Sequence, residues 1–507
     1  MYLIINLGLK SIRGILFNEL GHQLYSKSFP VHTTLFDVKV EQDVNEWVDL
    51  LDKIMNDISE NTNLSREIKF VSVTTSSSCI VGVDKLMNPI TKVLMVSDKR
   101  SLNEVKSIKS TSLFRKYEKQ DNLTCATASL IPKALWFKNN EPQTFENVKY
   151  WLGAAEYLNY YFTGEVFTDP LNASKAFHNG SDYCNEIIED LGIDISTLPK
   201  VTPIGTTLSL DNTLKSRFNL SQDCKFILTT YDAICAVIGS SNGENYNACD
   251  VSGTVTSLRL LNDKPSNASK SVLLNQRVDL LDKYLIGASN NLGGGIIEWY
   301  KQAFFKKGNQ SVYFKMENDA QSSKVGANGL LFIPYLLGER APVVAPDASA
   351  CFFGVQRSHK SKDFSRAVFE STAYVTRHLM ELIEDGSIDV NSITVSGGLA
   401  RFDLINQIKA DVCNKPVYVV ENFESTSIGA FILMAISNNQ FNSIEEALKK
   451  VVRIRKIINP STDNHKIYYE YFSLYKKLIE SLTPIYKAHN DIQKMQVVHE
   501  NETVRNL

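Results

Sequence analysis

A strand, a polar glycine turn and a second strand follow one another twice in this chain, once at its beginning and once near its middle. Tyr2–Asn6 and Gly14–Asn18 flank the segment from Gly8 to Arg13, and Cys249–Ser252 and Ser257–Leu261 flank Gly253 to Thr256. Each pair opens a stretch in which apolar runs of strand length alternate with helical periodicity. The helix expected over 44–58 puts Trp47, Leu50, Leu51 and Ile54 on one face, and strands are expected at Phe70–Thr74, Phe226–Thr230, Ser392–Val395 and Val417–Val420. A repeated opening of this kind commits the chain to two α/β halves. The length of 507 residues agrees, because single cores stop growing at about 250–300 residues. The pattern predicts a first domain over residues 1–243, a second over 244–487 with the boundary near Asn242–Asn247, and a polar, frayed extension over 488–507.

Charge and composition narrow the partners. A formal net charge of -2 gives no basic excess for a nucleic-acid backbone. The eight cysteines form no C-x-x-C pair and no zinc spacing, so they read as buried, reduced thiols. Met1-Tyr-Leu-Ile-Ile-Asn6 has no basic start, and the apolar run Ala430–Ile436 falls far short of the roughly 20 residues that span a bilayer. A soluble, cytoplasmic protein without a membrane or nucleic-acid partner is expected.

Neither a G-x-x-x-x-G-K-S/T loop nor a G-x-G-x-x-G turn is present, so phosphate binding has to use other backbone turns. Gly8 to Ser11 with Arg13, and Gly253 to Thr256, can each aim N–H groups and hydroxyls at an anion, though for either taken alone a plain hairpin turn is the favoured reading. Asp232 follows an apolar strand and precedes an apolar helix. A carboxylate there could deprotonate a hydroxyl, or simply cap the helix. Gly397-Gly398 allows a ring or phosphate close approach, or makes a tight turn. Asp98-Lys99-Arg100 and Gly338–Pro342 could hold a polyol or fix a loop by an ion pair, and for the second a structural role is favoured.

Taken in order, these segments resemble the FGGY carbohydrate kinases. Asn6-Leu-Gly-Leu-Lys-Ser-Ile-Arg13 stands where that family has D-x-G-T-x-S-x-R, Glu41-Gln42-Asp43 with Trp47 matches E-Q-D-P-x-x-W, and Ser97-Asp98-Lys99-Arg100 matches W-x-D-x-R. Glu156-Tyr157-Leu158, Thr163-Gly164-Glu165, Thr168-Asp169-Pro170 and Ala173-Ser174 continue the match. The most specific block is Gly329 to Pro342, followed by Phe353-Gly354, Arg366, Glu370, Ser396 to Arg401, Ala410-Asp411, Pro416-Val417, Glu424 and Gly429-Ala430.

The resemblance implies a two-domain, actin- and hexokinase-like (ribonuclease H-like) α/β fold with ATP and sugar in an interdomain cleft, and the transfer of a γ-phosphate to a sugar hydroxyl. Asp232 would be the base. Gly8, Lys10, Ser11, Arg13, Gly253, Thr254 and Thr256 would hold phosphates, Gly397 and Gly398 would face the nucleoside, and Ser76, Ser77, Ser78, Asp98, Arg100 and Asp232 would meet the sugar. Mg²⁺ would bridge the phosphates and meet Asn6 and Asp232 through water. A homodimer stays open. Three departures stand out: Asn6 and Leu9 replace the family's aspartate and threonine while Lys10 adds a cation, Thr75-Ser76-Ser77-Ser78 replaces a G-Q-M-H stretch, and Thr229-Thr230-Tyr231 replaces a glycine-rich lead with a tyrosine that could crowd the site. They leave a sugar- or nucleotide-sensing pseudokinase as the alternative. The expected substrate is a pentulose such as xylulose, or an aldonate such as gluconate.

Overall fold

The computed structural model describes residues 1–61, 64–121, 123–268, 272–305 and 311–505, with side chains described except at 61, 311 and from 493 onward. The chain forms two compact units. The first holds Met1–Gly239, Asp279–Leu281 and Glu424–Val451; the second holds Ser240–Val278, Asp282–Phe423 and Val452–Leu507. The helix Ser425–Ser437, late in the chain, therefore belongs to the first unit.

The first unit is built on a six-stranded sheet in the order Thr207–Ser209, Lys225–Ile227, Phe70–Thr75, Tyr2–Leu7, Ser11–Phe17, Gln23–Pro30. The second has a seven-stranded sheet in the order Leu274–Val278, Lys283–Ser289, Thr256–Asn262, Asn247–Ser252, Ser392–Ser396, Val417–Val420, Ile454–Ile458. Both sheets share one plan. An antiparallel hairpin with a third antiparallel strand beyond it adds two parallel strands on its other side, and an antiparallel strand closes that edge. The twofold opening seen in the sequence is thus a repeat of sheet topology.

The central strands read as unbroken apolar runs because they are covered on both faces. Every residue of Tyr2–Leu7 is buried. On the helix Val44–Asn61, the stripe of Trp47, Leu50, Leu51 and Ile54 packs into that core, as the 3.6-residue period requires. In the second unit Leu258, Val395 and Val417 line one core, and Ile297, Phe332 and Tyr374 another. Two expectations change. The strand expected over Phe226–Thr230 ends at Ile227, because the Thr229 and Thr230 side chains bond to Val73 O and Asp169 as the chain turns toward the next helix. The segment from 488 on is not irregular: the helix Thr462–Arg505 runs through it. All eight cysteines are free thiols, and among the described residues no helix is long and apolar enough to cross a membrane.

Candidate functional site

Ligands of open α/β sheets gather where the parallel strands end. In the first unit Asn6 and Leu7 pair with Thr74 and Thr75, so the turn after Leu7 and the serine run after Thr75 leave the same sheet edge. The third parallel strand, Lys225–Ile227, runs on to Asp232 at that edge, where Thr229 Oγ1 donates to Val73 O (2.8 Å) and Thr74 Oγ1 to Thr230 O (2.8 Å). Gly8, Ser76–Ser78 and Asp232 are thereby brought to one rim of one unit.

The turn after Leu7 is held by its carbonyls. Ser76 N donates to Leu7 O (2.9 Å), Gln42 Nε2 to Leu9 O (2.9 Å) and Val31 N to Lys10 O (3.0 Å), while Gly8 N closes the turn on Ser11 O (3.0 Å). In a trans peptide the N–H points opposite to the C=O, so the amides of Lys10 and Ser11 face away from these anchors. Leu9 and Lys10 are exposed at the tip. Asn6 is buried with its amide nitrogen 3.5 Å from Ser427 Oγ. Arg13 forms a 2.7 Å ion pair with both carboxylate oxygens of Glu424, which leaves Lys10 as the cation displayed by the turn.

Asp232 is the first residue of the helix Asp232–Ile238 and is partly exposed. Its lead-in is fixed from behind. Thr230 Oγ1 donates to Asp169 Oδ1 (2.8 Å), and Asp169, fully buried, also accepts Asn172 Nδ2 (2.6 Å) and the amide of Leu171 (3.0 Å). Burial raises the Asp169 carboxyl. Beside it, burial pushes Glu156 up to about 7, with Thr168 Oγ1 donating to it. Tyr231, the residue that could crowd the site, is buried, with Lys175 Nζ 5.4 Å from its ring centre. The helix packs backbone to backbone on Ser425–Ser437: a Cβ on Gly239 would lie 1.9 Å from Ser425 O, and one on Gly429 1.8 Å from Cys235 O.

Of the residues expected to meet a sugar, Ser76 and Ser78 are buried, Ser77 is partly exposed, and Ser78 adopts a left-handed backbone (φ 67°). Asp98 and Arg100 are arranged otherwise. Asp98 is fully buried and accepts Val40 N (2.8 Å), Arg100 N (3.0 Å) and Arg100 Nε (2.9 Å), while Arg100 also reaches Glu41 (2.5 Å). Of their two readings this is the loop-fixing ion pair. Lys133, unremarked in the sequence, ties the regions together: fully buried, it donates to Ser78 O (2.6 Å) and Met95 O (2.8 Å), and burial lowers it to about 8.

In the second unit Val251 pairs with Ser396, so the turns after Ser252 and after Ser396 leave one edge. Gly397 has φ 82°, and a Cβ there would sit 2.7 Å from Ser252 O, so only glycine fits. Gly398 opens the short 3₁₀ turn Gly398–Arg401. Gly253 O accepts Gly294 N (2.8 Å) and Thr254 O accepts Gly293 N (2.7 Å). This packing requires bare backbone, since a Cβ on Gly294 would lie 2.4 Å from Gly253 O. The amides of Thr254 and Val255 then face the other way. Thr256 N donates to Asn290 Oδ1 (2.8 Å). Beneath the turn lies a network the sequence reading missed. Lys409 Nζ pairs with Asp250 Oδ2 at 2.5 Å with side chains 1% and 0% exposed, Thr376 Oγ1 donates to the same oxygen (2.8 Å), and Ser252 Oγ donates to Asp250 Oδ1. A signal was present: Lys409 follows Ile405 by four residues on the buried face of the helix Asp403–Cys413.

The Gly338–Pro342 block is structural, as favoured from sequence. Glu339 Oε1 accepts the amides of Asn291 (2.9 Å) and Arg340 (2.8 Å), Arg340 Nε donates to Ser289 O (3.0 Å), and Ala341-Pro342 is cis.

The model of the N-terminal domain of the FGGY family of carbohydrate kinases matches residues 1–239, and that of its C-terminal domain matches residues 250–437. A xylulose kinase of Staphylococcus epidermidis is 28% identical over 488 residues, 94% of this chain and 95% of the relative. A gluconokinase of Bacillus subtilis is 24% identical, with 98% of each chain covered. Among solved structures, gluconate kinase from Lactobacillus acidophilus superposes with a TM-score of 0.87 at 21% identity, covering 96% of this chain and 99% of that one. Plasmodium falciparum glycerol kinase with ADP gives 0.83 at 18% identity, covering 95% and 98%. These likenesses show the expected two-domain, actin- and hexokinase-like fold, and nothing among them supports the pseudokinase alternative.

Proposed function

Because the chain belongs to the FGGY family of carbohydrate kinases, and is thus a phosphotransferase with an alcohol group as acceptor, we propose that it transfers the γ-phosphoryl group of ATP to a hydroxyl of a pentulose such as xylulose, in the cytoplasm, with Asp232 as general base. The observation that carries this reading is the position of Asp232: partly exposed at the head of its helix, on the sheet edge that also presents Ser76–Ser78 and the turn at Gly8.

In this reading Asp232 accepts the proton of the attacking hydroxyl. Ser76, Ser77 and Ser78 orient the acceptor, with Lys133 holding the Ser78 carbonyl and the Asp98–Arg100 pair bracing the loop behind it. The outward amides of Lys10 and Ser11, with the Lys10 side chain, and those of Thr254 and Val255 bind phosphate oxygens, and Gly397-Gly398 leaves room for the nucleoside. Thr256, expected from the resemblance to join the phosphate ligands, is buried with its amide on Asn290 and its hydroxyl on Ser252, and braces the turn. Positioning and charge neutralisation supply most of the rate of phosphoryl transfer.

Mg²⁺ fits this donor set on one condition. Among the described residues no group of three or more His, Cys, Asp or Glu could hold a metal, so the ion would be carried on the ATP phosphates and would meet Asp232 and the Asn6 side-chain carbonyl through water. When bound there it supplies charge neutralisation.

A neutral pentulose is preferred because the cations behind the serine run are already engaged, Lys133 on carbonyls and Arg100 on carboxylates. An aldonate is the second reading, favoured by Lys175, which lies against Tyr231 one residue before Asp232 and could pair with a carboxylate. Coupled ADP release separates the two: Lys175→Met should spare turnover on xylulose, and a selective loss on gluconate would promote the second reading. Asp232→Asn should lower turnover by about 10²–10⁴-fold at unchanged melting temperature. Wild-type turnover in that variant would remove the base from the proposal.

A further inference from the structure

The ion pair between Lys409 and Asp250 lies wholly inside the second unit. Such a pair is weak evidence for stability, because desolvating two charges offsets most of their attraction. What distinguishes it is its linkage. Asp250 and Ser252 are two residues apart on the strand Asn247–Ser252 and so point to the same face. The Ser252 hydroxyl donates to Asp250, lies 3.3 Å from Lys409 Nζ, and lies 3.0 Å from Thr256 Oγ1. Ser252 and Thr256 are the two residues between which Gly253, Thr254 and Val255 are suspended. Thr376, from the helix Ser361–Glu384, locks the other side of the Asp250 carboxylate, and Asn290 takes the Thr256 amide. Both feet of the turn therefore stand on one hydrogen-bonded chain that ends in a buried charge pair, while the turn's carbonyls are held by Gly293 and Gly294.

We propose that Lys409 and Asp250 are positioning residues for phosphate binding: through Ser252 and Thr256 they fix the direction in which the Thr254 and Val255 amides point, and so set the affinity for ATP. The proposal rests on the reading that this turn binds phosphate. Lys409 touches no substrate. It fixes the Asp250 carboxylate, which orders the Ser252 hydroxyl, which sets the spacing of the two strand ends. A turn released from this chain loses pre-organisation and has to be ordered by the nucleotide itself, which weakens binding without touching the sugar side.

The test uses the full chain, Mg-ATP titrated by calorimetry, steady-state KM for each substrate, and melting temperature. Gly253→Ala examines the underlying reading, because a Cβ there meets nothing within 4 Å. The variant should fold normally, put a methyl where an anion would sit, and weaken ATP binding about tenfold. Ser252→Ala keeps the ion pair but cuts its link to the turn, and should raise the Kd and KM for ATP about three- to tenfold with the sugar KM unchanged. Asp250→Leu/Lys409→Met removes both charges together. It should melt near the wild type yet keep the raised ATP KM, an outcome that a purely structural pair would not produce. Wild-type ATP affinity in Gly253→Ala sinks the phosphate-turn reading. Weakened binding there, with wild-type ATP constants in both Ser252→Ala and the double variant, overturns the positioning role alone.

Discussion

The turn at 8–11 and the turn at 253–256 occupy equivalent places in two sheets of one topology, yet their charges are distributed in opposite ways. The first is braced by neutral donors, Ser76 N, Gln42 Nε2 and Val31 N, and carries its charge at the tip on Lys10. The second displays Gly253, Thr254 and Val255, none of them charged, and keeps its charges buried in Asp250 and Lys409. What the two share is that carbonyls are tied down on one side so that amides face the other. If both turns bind phosphate, as proposed, oriented N–H groups are the feature they share, and a cation stands among them in the first and beneath them in the second.

The contrast breaks first at the brace. Lys409→Met leaves the Asp250 carboxylate buried without its ammonium and should destabilise the protein by about 3–5 kcal/mol, seen in denaturant unfolding. Gln42→Leu removes a neutral brace that also accepts Trp47 Nε1 (2.9 Å) and reaches Thr33 Oγ1 (2.8 Å), and should remove about 1–3 kcal/mol. Equal losses from the two would mean that the ion pair is no more than another hydrogen bond.

The sequence made the repeat legible because strand, glycine turn and strand are local signals with short periods. It also placed Gly253 and Gly397 at strand ends, where α/β sheets put chemistry, and Asp232 before an apolar helix, though the strand that leads to it stops earlier than expected, at Ile227. The braces were not legible. Gln42 to Leu9, Lys133 to Ser78 and Lys409 to Asp250 join residues 33, 55 and 159 positions apart, and no periodicity couples such distances. The readings of Asp98 and Arg100 stayed divided for the same reason. Two charges two residues apart in a loop look alike whether they face solvent or each other, and only the burial of Asp98 against Val40 N decides between them.

A smaller effect tests the cation at the first tip. If Lys10 supplies charge that Asn6 lacks, Lys10→Met should lower kcat/KM for ATP about three- to tenfold, while the constants for the sugar hold. Asn6→Asp should raise turnover about threefold in coupled ADP release, roughly 0.7 kcal/mol of barrier. Unchanged or lower turnover in Asn6→Asp would mean that Lys10 has rewired the phosphate site and a second charge beside it is unwelcome.

A last test compares the units through pH. Each buries a carboxyl that burial raises from 4.5 to about 7: Glu156 in the first, facing Thr168, and Glu339 in the second, facing the amides of Asn291 and Arg340. A carboxyl raised on folding favours its protonated form in the native state, so the stability it contributes is fully present below pH 4.5 and is lost as pH rises through about 7. Each should add a downward slope of about 1 kcal/mol per pH unit between roughly pH 5 and pH 7. Glu156→Gln and Glu339→Gln keep the acceptor oxygen and cannot ionise, so each should flatten one share of the melting-temperature profile. If Glu156→Gln flattens its share while Glu339→Gln leaves the profile unchanged, the backbone amides around Glu339 hold that carboxylate charged at neutral pH.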